Sequence, residues 1–349
     1  MNIGELVAGI DIGATHVRFA IYNPVNWELV GQISHNRIKH AESRLQISPD
    51  EFTVMAKAEL KSLAWRQGLR FEPDESNKIF LALGIGTAGA FLDGNYVRLG
   101  DSLANLPKSW KRADLVSKFR GFGETVYMDG DSVTGAVGYN QIGNFESPIL
   151  YVAMGTGLAV ALLDKNDQPV RQDGRISPEW AHVSVSGLKP SIVDKTCAYC
   201  ADNRRDPHCL ETYFSGPGIK TRYQNDDLHS LTPKEIKELQ ENLIIGLETL
   251  FRKAISYGHP PKTILFSGGA AEEIVKGNPY FFEELNELNK KGTGHPRGTV
   301  TYADTRTFKI WQPNIISSFD PRGPTLGAAM LAYKNSEAYH ANQVLSRRR

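Results

Sequence analysis

The sequence predicts an α/β protein of two domains whose mixed sheets are flanked by helices, and three observations carry that expectation. Apolar runs of strand length alternate with stretches of helical periodicity from Leu6 to Tyr333, the order that a layered α/β architecture requires. Two of these runs, Leu6 to Ile12 and Ile149 to Val152, lead into glycine–threonine turns and return as a second apolar strand. A chain of 349 residues with 41% hydrophobic content also exceeds what one core ordinarily serves.

The first strand is the β-branched run Leu6 to Ile12. It turns at Gly13-Ala14-Thr15 into Val17, Phe19 and Ile21, which alternate with His16, Arg18 and Ala20 as a half-buried partner does. Asn23-Pro24 ends the hairpin, and Glu28 to Ser34 supplies a third strand. Pro49 to Gln67 reads as a helix because Phe52, Met55, Ala56, Leu60 and Leu63 recur at helical spacing. Ile79 to Leu83 is a buried strand that enters Gly84-Ile85-Gly86-Thr87-Ala88-Gly89. Those glycines match the dinucleotide fingerprint, which also needs a helix to follow. A hairpin with an Asp93-Gly94 turn follows instead, so the glycines read as a floor that lets a ligand approach backbone.

Past the Asn105-Leu106-Pro107 loop, a helix is expected from about Ala113 to Phe119 and a strand over Thr125 to Met128. That strand delivers Asp129-Gly130-Asp131-Ser132 to the start of a helix over Val133 to Tyr139. Open α/β sheets bind ligands outside the carboxyl ends of their strands, so a carboxylate here is placed for chemistry. Simple capping of the helix is the competing reading, stronger for Asp131 than for Asp129. The second hairpin then turns at Gly155-Thr156-Gly157 and leaves as Leu158 to Leu163. A glycine–threonine turn after a buried strand brings backbone N–H groups and a hydroxyl close to an anion.

Downstream, Thr232-Pro233-Lys234-Glu235 forms a capping box with Pro at the first helical position. It opens the longest helix, with an apolar stripe of Ile236, Leu239, Leu243, Leu247, Leu250 and Ala254 that Gly258-His259-Pro260-Pro261 stops. Thr263 to Phe266 is a strand leading into Ser267-Gly268-Gly269 and a helix from Ala270 to Val275. Gly277 to Arg306 reads as a surface helix with loops, Lys309 to Trp311 as a final strand, and Gly323 to Tyr333 as a closing helix rich in small residues.

Composition narrows the partners. A net charge of +1 offers no basic surface for nucleic acid, and no apolar run has membrane-spanning length. The start at Met1 lacks a secretory pattern, so the cytoplasm is the expected compartment. Only three cysteines occur, Cys197, Cys200 and Cys209, and an odd, clustered set reads as metal binding before disulfide.

Taken in order, the two glycine–threonine hairpins, the Asp before a helix at 129 and the Gly268-Gly269 pair resemble the actin-like (ribonuclease H-like) ATPase and hexokinase fold. Glu179-Trp180-Ala181-His182 and the cysteine cluster narrow the resemblance to the ROK family of sugar kinases and regulators, which includes allose kinase-, fructokinase- and glucokinase-like members. The match runs from about Leu6 to Tyr333. The implied layout is a small α/β domain over 1–128, a larger one over 129–320 with a zinc-binding insertion, and a closing helix over 321–337 that packs back on the first.

By the same resemblance the chain is a kinase that transfers phosphate from ATP to a hexose or hexose derivative, at the 6-hydroxyl. Gly9, Asp11, Gly13 and Thr15 form the first phosphate loop, with Asp11 near Mg²⁺. Gly155, Thr156 and Gly157 form the second, and Gly268 and Gly269 border the adenosine. Asp129 is the catalytic base and also touches the sugar, together with Asn105, Glu179, His182 and Glu211. A structural zinc ion takes His182, Cys197, Cys200 and Cys209, with His208 a rival to His182, and a homodimer is compatible with the family. Ala14, Ala159 and Ala181 stand where the family often has glycine. They motivate the alternatives of a weakened kinase or a sugar-binding regulator; the chain begins at its first phosphate strand, leaving no room for the helix-turn-helix domain of such regulators.

Overall fold

The computed structural model describes residues 3–13, 16–36, 47–69, 79–88, 90–93, 96–99, 110, 112–171, 180–185, 188, 197, 200, 209–291 and 314–336. They fall into two compact units. One is drawn from Met1–Asn144, Gln168–Pro178 and Asp320–Arg349, the other from Phe145–Asp167 and Glu179–Phe319.

The first unit is built on a five-stranded mixed sheet. Strands β1 (Val7–Ile12), β2 (His16–Asn23) and β3 (Glu28–Asn36) run antiparallel, whereas β4 (Phe80–Thr87) and β7 (Gly123–Gly130) lie parallel to β1 in the order β3-β2-β1-β4-β7. A short antiparallel ribbon, β5 (Ala90–Asp93) with β6 (Tyr96–Leu99), follows β4. Because side chains alternate across a strand, the sheet has two unlike faces. Ile10, Ile12, Phe19, Ile21, Leu83, Ile85 and Met128 point into one hydrophobic core with Phe52 and Leu60 of helix α1 (Pro49–Arg66) and Phe119 of α2 (Leu115–Phe119). Helix α1 starts at a complete capping box between Ser48 and Glu51.

The opposite face carries glycine where the first carries Leu and Ile. Helix α9 (Gly323–Lys334) lies directly on it: a Cβ at Gly9 would stand 2.0 Å from the Thr325 carbonyl oxygen, and one at Gly84 1.8 Å from that of Ala328. The same helix crosses α3 (Asp131–Gly143) at backbone contact, where a Cβ at Gly138 would meet Gly323 and one at Gly327 would meet Thr134. The Tyr22 hydroxyl hydrogen-bonds Thr325 Oγ1 at 2.7 Å, and the Trp27 and Tyr333 rings meet edge-on, fixing both ends of α9. The expected ligand floor at Gly84 is therefore occupied by α9, and Gly86 faces Thr134 of α3. The strand also continues through the glycines to Thr87 instead of stopping at Leu83.

The second unit holds a four-stranded sheet in the order β11-β10-β8-β9, from β8 (Ile149–Met154), β9 (Leu158–Leu163), β10 (Thr263–Ser267) and β11 (Asn314–Ser317). Strand β10 pairs in parallel with β8 and β11, and β9 returns antiparallel. The long helix α6 (Pro233–Ser256) begins at its Thr232–Glu235 capping box and buries the stripe from Ile236 to Ala254. At Gly246 it receives the Phe214 ring of α4 (Leu210–Phe214), and Gln240 donates to the Phe281 carbonyl at the start of α8 (Phe281–Lys291). The expected strand at Lys309 to Trp311 lies outside the described residues; β11 forms just after it.

Replacing Gly84 by Ala puts a methyl group inside a carbonyl contact that neither strand nor helix can vacate. Such overpacking sits at the upper end of the usual cost, about 3 kcal/mol. Thermal melts of Gly84→Ala should show a clear fall in Tm, and a melt equal to wild type would contradict this account of the α9 interface.

Candidate functional site

In the first unit the sheet register aligns the chemistry. Asp11 of β1 pairs with Gly86 of β4, and Gly86 pairs with Asp129 of β7. Two carboxylates thus share one row, one strand apart on either side of a glycine, on the glycine face and at the carboxyl ends of parallel strands. Neighbouring strands lie about 4.8 Å apart, so their Cα atoms are separated by roughly 10 Å.

Both carboxylates are buried, and each has a cation. Arg18 of β2 donates to Asp11 Oδ2 at 2.7 Å. Burial pushes the Asp11 pKa up, and Arg18 pulls against it by charge and hydrogen bond. Asp129 has no solvent exposure. Its Oδ2 accepts from Arg171 Nη2 at 2.7 Å and from the Tyr127 hydroxyl at 2.9 Å, while Oδ1 accepts the Gly130 N–H at 2.8 Å. Burial raises the Asp129 pKa, and Arg171 opposes this most strongly.

Neither Asp129 nor Asp131 caps α3. The N-cap position is Gly130, without a side-chain cap, and Asp131 Oδ1 accepts from the next backbone N–H, of Ser132, at 2.8 Å. The Asp131 carboxyl is pushed up to about 6, by burial first and by the neighbouring charge of Asp11 second. Gly13 closes the β1–β2 turn by donating its N–H to the His16 carbonyl at 2.9 Å. Thr15, Ala14 and the sugar-contact candidates Asn105 and Glu179 lie outside the described residues, as does His208.

In the second unit three backbone starts converge. The turn Gly155-Thr156-Gly157 is closed by Gly155 N–H to Gly157 carbonyl at 2.9 Å, and the Gly155 carbonyl accepts the Gly216 N–H at 2.7 Å. Gly216 opens α5 (Gly216–Tyr223), and a Cβ there would also touch Ala270 in α7 (Gly269–Gly277). Helix α7 has Gly268 as N-cap and, among the described residues, no side-chain cap, which leaves N–H donors for an anion. Gly268 itself has φ +95 and lies against the Met154 carbonyl, a position only glycine takes without strain. Ala159 stands beyond the turn, paired with Ala153 in the β8–β9 ladder, so its methyl group does not thicken the turn itself.

Glu211 sits beside this turn, its carboxylate 3.6–3.9 Å from a Cβ at Gly157. Burial raises its pKa, and His182 opposes that. His182 Nε2 is 3.6 Å from Glu211 Oε2, while its Nδ1 is 3.5 Å from Cys197 Sγ and 3.8 Å from Cys209 Sγ. One ring nitrogen therefore faces the carboxylate and the other faces sulfur. The ligand atoms of His182, Cys197, Cys200 and Cys209 all lie within 4.8 Å of one another. A tetrahedral zinc site with ordinary Zn–S and Zn–N bonds sets its ligand atoms roughly 3.5–3.8 Å apart, so the donor set fits a closed metal site. Hydrogen bonding between the two thiols draws Cys209 down, with His182 adding to the effect, and pushes Cys197 up, so one thiol of the pair is favoured as the thiolate that a metal takes.

Sequence reasoning passed over Arg171 and Tyr127. Arg171 follows a polar turn with no motif around it, and only its place beside Asp129 marks it. No helix among the described residues is long and apolar enough to cross a membrane.

Comparison with known proteins agrees with this picture. A family model described as ROK matches residues 51–256. No curated protein matches the sequence. Among solved structures, the ROK hexokinase from Thermus thermophilus is similar with a TM-score of 0.61 at 15% identity, covering 94% of this chain and 98% of its own. A ROK family glucokinase from Streptomyces griseus, in complex with glucose and AMPPNP, aligns with a TM-score of 0.57 at 16% identity over 95% of this chain and 100% of that one. A ROK family transcriptional regulator, a homologue of the E. coli Mlc protein, gives a TM-score of 0.62 at 12% identity over 95% of this chain and 78% of that one. These likenesses establish the fold.

Two predictions follow from the geometry. Purified protein should contain about one zinc ion per chain, and a chelator or Cys200→Ser should remove it and lower the Tm; metal-free protein of undiminished stability would count against a structural site. Asp131, whose folded pKa lies above its unfolded value, contributes stability at low pH that is lost as pH rises through the folded value. Denaturant melts should therefore show wild type losing stability relative to Asp131→Asn between about pH 4 and pH 6, and a difference independent of pH would refute this.

Proposed function

The chain belongs to the ROK family, and on that premise we propose that it is an ATP-dependent sugar kinase that phosphorylates a hexose or hexose derivative at the 6-hydroxyl. The single observation that carries the reading is Asp129: a buried, ionisable carboxylate at the carboxyl end of a parallel strand, level with Asp11.

In this reading Asp129 accepts the proton of the sugar hydroxyl as that oxygen attacks the γ-phosphorus of ATP, and ADP leaves. Asp11, Gly13 and Thr15 serve as one phosphate loop and Gly155, Thr156 and Gly157 as the other, while Gly268 and Gly269 border the adenosine; Gly9, covered by the Thr325 carbonyl of α9, serves the first loop only by letting that helix close on its strand. Bound Mg²⁺ would neutralise phosphate oxygens near Asp11. Asn105, Glu179, His182 and Glu211 read the sugar hydroxyls, since carboxylates and amides can each bridge two of them. His182, Cys197, Cys200 and Cys209 would hold a structural zinc ion, which would fix the His182 ring whose Nε2 faces Glu211.

A second reading, a sugar-binding regulator or weakened kinase, is supported by the likeness to the ROK transcriptional regulator and by Ala14 and Ala181, whereas Ala159 lies in the ladder beyond the turn. A coupled ADP-release assay over a panel of hexoses separates the two. The kinase reading expects one sugar to stimulate ATP turnover, with Asp129→Asn reducing kcat by roughly 100-fold or more. If no sugar stimulates turnover while one of them raises the Tm, the binding protein is the right description.

A further inference from the structure

The two oxygens of Asp129 are held unequally. Oδ2 takes two short hydrogen bonds, from Arg171 Nη2 at 2.7 Å and from Tyr127 at 2.9 Å. Arg171 Nη2 also donates to the Tyr127 oxygen at 2.9 Å, so the three groups close a ring. Among the described residues, Oδ1 has the Gly130 N–H at 2.8 Å and, beyond it, only Arg171 Nη1 at 3.5 Å, too long for a strong bond. An ionised carboxylate oxygen can accept more than one hydrogen bond, so Oδ1 alone keeps usable acceptor capacity.

We propose that Arg171 is a positioning residue for phosphoryl transfer: its short contact with Oδ2 fixes the Asp129 carboxylate, and its long contact with Oδ1 is the one that the sugar hydroxyl replaces. The proposal rests on the reading of Asp129 as the proton acceptor. Charge and geometry act together here. A carboxylate buried without a cation becomes neutral and cannot accept a proton, whereas an arginine set square on both oxygens would leave no oxygen free. The skewed fork satisfies both demands. Tyr127 adds a donor without adding charge, and its own burial pushes its pKa up, so it stays a neutral phenol. The other charged groups at these strand ends are Asp131 on α3 and the Asp11–Arg18 pair on β1 and β2. None of these hydrogen-bonds Asp129 among the described residues, so the direct control belongs to Arg171.

The experiment compares wild type, Arg171→Met and Arg171→Lys in the full-length protein. Two readouts are used: the pH dependence of kcat and kcat/KM with the best hexose, and the titration of the Asp129 carboxyl by ¹³C NMR, assigned with Asp129→Asn. Arg171→Met should lower kcat by roughly 100-fold with a smaller change in KM. It should also move both the acidic limb and the Asp129 titration upward by at least about one unit, with Arg171→Lys recovering much of the shift. A purely structural arginine would lower the Tm and leave the acidic limb in place, and an Asp129 titration identical in wild type and Arg171→Met overturns the proposal. If no hexose supports turnover, the kinase reading falls while the NMR titration still decides what Arg171 does to Asp129.

Discussion

Direct approach of one helix backbone to two strands is the constraint on which the first unit depends. Helix α9 can lie on β1 and β4 only because Gly9 and Gly84 present no side chain, and it can cross α3 only because Gly138 and Gly327 do the same. The gain is dense packing without large side chains. The consequence is positional. With β1, β4, α3 and α9 locked at backbone distance, Asp11, Gly86 and Asp129 stay in one row and Asp131 starts the helix beside them. Any added methyl group in this interface would displace the carboxylates along with the backbone that carries them.

Burying acids in such a place is expensive unless each finds a partner. The structure solves the problem differently for each residue. Asp11 and Asp129 are given arginines, Arg18 and Arg171, from neighbouring chain segments of the same unit. Asp131 is given backbone N–H groups, that of Ser132 at 2.8 Å among them, but no cation, and it has Asp11 as a neighbour, so its carboxyl is pushed up to about 6. Burial raises all three acids near this helix start, and an arginine opposes the rise for Asp11 and Asp129 but not for Asp131, a difference made by environment and not by residue type.

Much of this was legible in the sequence because it is written in local patterns. The strand alternation of Val17, Phe19 and Ile21, the capping box at Thr232 and the stripe from Ile236 to Ala254 each depend on near neighbours, and each is found. The order of glycine–threonine turns around Asp129 pointed to the fold, and Glu179-Trp180-Ala181-His182 with the cysteine cluster narrowed it to the family. What escaped depends on long-range contact. The glycines after Leu83 read as a floor for a ligand because nothing local reveals that residues some 240 positions later will cover them. Arg171 was invisible for the same reason: its partner Asp129 is 42 residues away in sequence, and an arginine in a polar turn has no periodicity to betray it.

The cysteine cluster is where local and distant information meet. Its ligands come from a three-residue helical turn at His182, two isolated positions at Cys197 and Cys200, and the start of a five-residue helix at Cys209. Helical segments this short have no stability of their own. They are tied by the backbone β-bridge between Ser184 and Cys209, by Leu210 N–H donating to the Val183 carbonyl, and by Cys197 and Cys209 meeting one imidazole nitrogen of His182, with the Cys200 sulfur gathered in the same cluster. Since Glu211 follows Cys209 by two residues and meets the other nitrogen of the same imidazole, whatever fixes the sulfurs also fixes this carboxylate beside Gly157. The His/Cys cluster thus does for this segment what the glycine interface does for the first unit: it converts a fold contact into the placement of a carboxylate.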